Sequence, residues 1–165
     1  MLRKSIIGLR YLAALLCFSL PAFAVDVTVT AASVVPSAKA IYNHGTCGGT
    51  ITVGQAIYQD VSGTTYTLKA ANIQAVGGSV AAARVVGIAV SGCAVNQEAT
   101  FVTSDPDFTP GGTVAAGTVY TGGSAAGTIA PAADLATGDF TNVIGIGKAN
   151  NKMYLKPFAG NTAHN

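Results

Sequence analysis

The sequence has no tryptophan, only two histidines, three cysteines and six prolines, and charged residues make up 10% of its 165 positions. Each shortage excludes something. Without Trp, a flat sugar-binding platform would have to rest on Tyr42, Tyr58, Tyr66, Tyr120 and Tyr154 alone. With His44 and His164 the only imidazoles, a Ser–His–Asp or Cys–His centre has little to draw on, and His164 is the penultimate residue. Carboxylates are as sparse: Asp26, Asp60, Glu98, Asp105, Asp107, Asp134 and Asp139. Asp105 and Asp107, two apart in "SDPDFTPGG", offer a weak calcium motif, but a Pro- and Gly-rich stretch of this kind reads first as a turn. No glycine-rich loop opens a helix, so phosphate cradling has no support. No catalytic, cofactor-binding or metal-binding residue is expected.

Positive charge is also scarcer than the total suggests. Arg3, Lys4 and Arg10 precede the short apolar run "LAALLCFSL" (Leu12–Leu20), and "PAFA" (21–24) follows with small residues at the cleavage spacing. This is the composition of a secretory leader, expected to be removed after Ala24. The run is too short for a membrane span, which takes about 20 apolar residues. Residues 25–165 then hold six lysines and arginines against seven acidic residues. They form no basic stripe, so nucleic-acid binding has no electrostatic footing. A body so poor in charge is easier to keep soluble when much of its surface is covered by partners, which points to a homo-oligomer or an assembly.

Cys17 leaves with the leader, and Cys47 and Cys93 remain. A pair in an exported chain reads as one disulfide. Free thiols are an alternative, and so is a metal site built on His44, Cys47 and Cys93, although this lacks a fourth ligand at the usual spacing.

What is present in quantity is strand-forming sequence. "VDVTVTA" (Val25–Ala31) alternates with period two. Further β-branched or aromatic runs lie at Thr50–Asp60, Thr65–Ala70, Arg84–Val90, Ala99–Ser104, Gly117–Gly122, Thr141–Lys148 and Lys152–Pro157. Each is bounded by turn residues, and the 74–83 stretch, with its paired glycines, makes a poor helix. The expectation is all-β: a compact sandwich or barrel of short antiparallel strands in one domain over 25–157, with a flexible tail at 158–165.

Two parts of that domain, about 48–97 and 112–150, repeat an order of motifs. "GQAIY", "KAAN" and "VVGIAV" in the first correspond to "GTVY", "PAAD" and "VIGIGK" in the second. Tyr58 stands as far before Asn72 as Tyr120 before Asp134. Two related β units, paired about a pseudo-twofold, are expected. Gly87 and Gly145 take the same place in apolar strands, where a glycine marks a bulge or the close approach of another backbone.

The order of "DVTVTAASVVPS" (Asp26–Ser37), "GGTITVGQAIYQD" (Gly48–Asp60), "ARVVGIAVSGCAVNQ" (Ala83–Gln97), "GTIAPAADLATGDF" (Gly127–Phe140) and "NVIGIGKA" (Asn142–Ala149) resembles small β-rich structural proteins of tailed bacteriophages, of the capsid-decoration or head-fibre type. The resemblance covers nearly all of residues 25–165. It implies a non-enzymatic protein that binds capsid or other structural subunits in many copies on a virion. The leader departs from that pattern, as do the cysteines, whose slots would be expected to hold small residues. Together they describe a relative exported to the periplasm or beyond, a surface or adhesin-like protein with one disulfide.

Overall fold

The computed structural model describes residues 25–74 and 78–164; the expected leader, 1–24, lies outside the described residues. Ten strands, β1 (Val34–Val35), β2 (Ile41–Thr46), β3 (Ala56–Ser62), β4 (Thr65–Ala70), β5 (Val85–Ala89), β6 (Glu98–Pro110), β7 (Val119–Gly122), β8 (Ile129–Pro131), β9 (Phe140–Lys148) and β10 (Lys152–Ala163), join in a curled antiparallel half-barrel. The all-β expectation is met, and the described residues contain no α-helix. Among the described residues, two single turns of 3-10 helix interrupt the strands, at Ala31–Ser33 and Ala132–Asp134.

The order along the sheet is β4-β3-β5-β6-β10-β9-β7-β8, with β1 and β2 added on β6. Matching β3 to β7, β4 to β8, β5 to β9 and β6 to β10 makes that order read the same from both ends. The matched glycines behave alike. A methyl at Gly87 would strike the carbonyl oxygen of Val102 on β6, and a methyl at Gly145 would strike that of Tyr154 on β10. Each glycine also sits where its strand slips out of strict alternation. Val85 and Ile88 both face the main core, three residues apart, and the β3–β5 register shifts at that point. On β9, Ile144 is buried while Ile146, on the other side of Gly145, is exposed.

The halves share one main interior, and the first half has a smaller core of its own besides. The main core gathers Ile88 and Val102 from the first half and Tyr120, Ile144, Met153 and Leu155 from the second. A separate core lies on the other side of β5, built from Cys47, Ile51, Ile57, Leu68, Ala89, Cys93, Ala99 and Phe101. β5 is therefore buried on both faces, as its near-continuous apolar run requires. Burying each of these large side chains contributes on the order of 1.5–3 kcal/mol.

Four expectations differ from the structure. "VDVTVTA" alternates like a strand but is merely extended. Its amides at Val27 and Thr30 each reach one carbonyl, of Ile129 and Gly111, and nothing more regular forms. Ile41–Thr46, which lies outside the strand-forming runs of the sequence, is nonetheless a strand, β2. "SDPDFTP", read as a turn, lies inside the longest strand, β6. Pro106 is tolerated there because the β6–β10 register breaks between Asp105 and Phe108, where no ladder amide is required. Pro157 sits in the corresponding break on β10. The segment 158–165, assigned to a tail, is mostly strand. β10 pairs with β9 as far as Ala163, and the His164 amide bonds the Asp139 carbonyl at 2.7 Å.

Candidate functional site

The residues singled out from the sequence fall at separate places in the fold. Cys47 follows β2 and Cys93 follows β5; they form a disulfide with a Cα–Cα distance of 6.4 Å, inside the smaller core. The same point closes the first half on itself. Cys47 bridges Leu68 of β4, the Gly48 amide bonds the Leu68 carbonyl at 2.9 Å, and Ile51 pairs with Cys93. Neither sulfur is available as a nucleophile or a metal ligand.

His44 lies on the outer side of β2, with Nδ1 3.1 Å from the Thr100 hydroxyl and 3.4 Å from a Glu98 carboxylate oxygen. It stands well exposed, as does Glu98 beside it.

Asp105 and Asp107 do not converge on a common ligand. The Asp105 carboxylate is fully buried and takes hydrogen bonds from the Ser37 amide, the Ser37 hydroxyl and the Asp107 amide. These pin the loop between β1 and β2 onto the bend of β6. Asp107 instead pairs with Lys148 at 2.5 Å, and Lys148 also donates to the Pro106 carbonyl at 2.9 Å. The Lys148 hydrogen bond, helped by the nearby charges of Lys148, Lys152 and Lys39, holds the Asp107 carboxyl below its ordinary range. Asp60 and Lys69 make a second surface pair, 2.6 Å apart on neighbouring strands, which raises the Lys69 ammonium.

The tyrosines are dispersed as well. Tyr120 is buried, its hydroxyl accepting from the Ala115 amide at 2.8 Å. Burial also pushes the Tyr58 phenol up. Tyr42, Tyr66 and Tyr154 are exposed on β2, β4 and β10 and make no common platform.

A buried polar tie that the sequence did not signal holds the halves together. Asn142 of β9 donates to the Ala83 carbonyl at 3.1 Å and accepts from the Thr121 hydroxyl at 2.5 Å and the Gly122 amide at 3.0 Å. Both polar atoms of this buried amide thus have partners, as burial requires.

Crevices are shallow. One of about 160 Å3 is lined by Thr121, Ala130, Asp134, Leu135 and Asp139; another of about 360 Å3 lies between Val27 and Gln55. Among the described residues no group of three or more His, Cys, Asp or Glu could hold a metal ion, and no helix is long and apolar enough to cross a membrane.

The most regular exposed feature is a row of apolar side chains across three strands. Val119 faces Ile146, and Ile146 faces Tyr154, so β7, β9 and β10 each contribute one. They are 36%, 45% and 43% exposed, on regular strands rather than a loop. Lys148 and Lys152 stand opposite each other in the next position of the same ladder, and Lys156 lies beyond Tyr154 on the same face.

No known protein family, curated protein or solved structure matches the chain.

Proposed function

We propose that the chain is a non-enzymatic structural protein that decorates or cements a protein shell, acting through its β-sheet surfaces in many copies. The observation that carries this is the Val119–Ile146–Tyr154 row. Contiguous apolar side chains exposed on the face of a paired sheet are suited to docking another protein. The low charge of residues 25–165 and the resemblance to capsid-decoration and head-fibre proteins support the same role. The test is co-sedimentation: the purified chain should pellet with assembled shells from its source and saturate at a fixed ratio to the shell subunit. Failure to bind any shell would sink the decoration role.

The disulfide favours a second role, an exported surface protein. Cys47–Cys93 is the kind of bond that persists in oxidising compartments. Mass measurement of the N-terminus separates the two. A chain beginning at Val25 supports export, whereas an intact Met1 in purified virions overturns it.

A further inference from the structure

The exposed row has a counterpart inside the molecule, and that counterpart is fully covered. Gly87 and Gly145 occupy matched places, each against a carbonyl of the following strand, Val102 or Tyr154. Moving one residue on from each glycine and reading across the ladders gives Ala56–Ile88–Val102 in the first half and Val119–Ile146–Tyr154 in the second. The first row has no exposed surface at any of its three residues, because the inward face of the second half packs over it. Among the described residues no such cover lies over the second row, which stays exposed. The relation between the halves is thus open-ended: one half covers the other and leaves its own equivalent face uncovered.

We infer that this face docks a second copy of the chain, head to tail, with the β2 surface of the next copy lying over Val119, Ile146 and Tyr154. This rests on the structural role proposed above and supplies its geometry. Charge argues for the orientation. Residues 111–165 carry Lys148, Lys152 and Lys156 against Asp134 and Asp139. Residues 25–110 carry Lys39, Lys69 and Arg84 against Asp26, Asp60, Glu98, Asp105 and Asp107. The uncovered row is rimmed by Lys148, Lys152 and Lys156; Asp107 already pairs with Lys148, which leaves Lys152 and Lys156 to meet an anion of a partner. The β2 surface offers the complement: Ile41 and Tyr42 are exposed on an outer strand, with the Glu98 carboxylate on the same pair of strands. An association of two different faces does not close after one partner, so it builds rings or filaments. A membrane fits less well, since these side chains lie along a sheet and do not project as a wedge.

Sedimentation and light scattering of the purified protein across a concentration series test this. The wild type should gain mass with concentration, and less so as salt is raised. Ile146→Asp and Tyr42→Asp should each remain single chains, with apparent dissociation constants raised at least roughly tenfold. An equimolar mixture of the two should form a two-chain species, because each retains one intact face. Val61→Asp, at an equally exposed position on the β3–β4 hairpin, should assemble like the wild type. Melting curves accompany each variant. Tyr154→Ser repeats the test from the neighbouring strand, so an unfolded Ile146→Asp protein does not leave the question open. A wild type that stays a single chain at every concentration overturns the inference, as does an Ile146→Asp protein that assembles normally. So does a mixture that never pairs. Wild-type binding to anionic vesicles, abolished by Ile146→Asp, would reassign the face to a membrane. A single-chain wild type that still co-sediments with a shell would overturn this pairing and leave the decoration role standing.

Discussion

Ser37 holds the buried carboxylate of Asp105 with both its amide, at 2.7 Å, and its hydroxyl, at 2.5 Å, across 68 residues of sequence. The Asp107 amide adds a third bond at 2.9 Å. This carboxylate organises the bend of β6, where the strand leaves β2 and β5 and takes up β10. Replacing it by alanine leaves three donors, from half-buried Ser37 and Asp107, without their acceptor. Asp105→Ala should therefore destabilise the protein by about 3 kcal/mol, while Asp105→Asn, which keeps one carbonyl acceptor, should cost less. Denaturant melts of the two variants check the ranking. Equal and small effects would mean that the bend is held by other contacts.

The disulfide closes a loop of 46 residues. Constraining a loop of that length in the unfolded chain is worth up to about 4 kcal/mol. Reduction of the wild type, or the double change Cys47→Ala with Cys93→Ala, should lower stability by nearly that amount. The loss should begin in the smaller core, since both cysteines lie within it. Hydrogen exchange should then show early exposure of Leu68 and Phe101 amides, with Ile144 and Leu155 protected for longer. Unchanged melting under reductant would contradict this.

How much of this was legible in the sequence depends on whether the signal was local. Strand identity was, because β-branched runs between turn residues carry it: β4, β5, β9 and most of β3 fall where those runs lie. The cysteine pair was legible from number and expected compartment. The fate of "SDPDFTP" was not, because proline and aspartate form turns unless something distant pairs with them, and here Ser37 and β10 do. "VDVTVTA" failed in the opposite sense: its alternation is real, but no neighbouring strand offers a full ladder. The exposed row was hidden too, since Val119, Ile146 and Tyr154 lie in three separate strand-forming runs and nothing local marks them as neighbours. Their exposure follows from the slip at Gly145 and from which half covers which, and neither is written in any short window.

The glycine contacts give a prediction with an internal control. Gly87→Ala and Gly145→Ala each place a methyl against a backbone carbonyl, of Val102 and Tyr154, which cannot move without separating two strands. Each should cost about 2 kcal/mol or more. A methyl at Gly45 meets only the Leu68 side chain, at 3.0 Å, which can shift by a few tenths of an ångström. Gly45→Ala should therefore be the mildest of the three. Thermal unfolding of all three variants decides; a Gly45→Ala protein as damaged as Gly87→Ala would refute the close-approach account.

The Asp107–Lys148 pair sets a pH window. A hydrogen bond from Lys148 holds the Asp107 carboxyl below its ordinary 3.8, with the charges of Lys148, Lys152 and Lys39 acting in the same direction. A carboxylate whose folded value is depressed binds protons more readily when the chain unfolds. Its contribution to stability is thus complete above the unfolded value and is lost as pH falls through the folded one. The pair should be intact throughout the neutral range and should fail only in strong acid. Lys148→Met removes the hydrogen bond and the nearest charge, so the Asp107 midpoint should move upward toward the ordinary carboxylate value. Side-chain carboxyl resonances followed through an acid titration read that midpoint directly. Because both partners are well exposed, the change in overall stability should be small even though the midpoint moves. An unmoved midpoint in Lys148→Met would assign the depression to Lys152 and Lys39 instead.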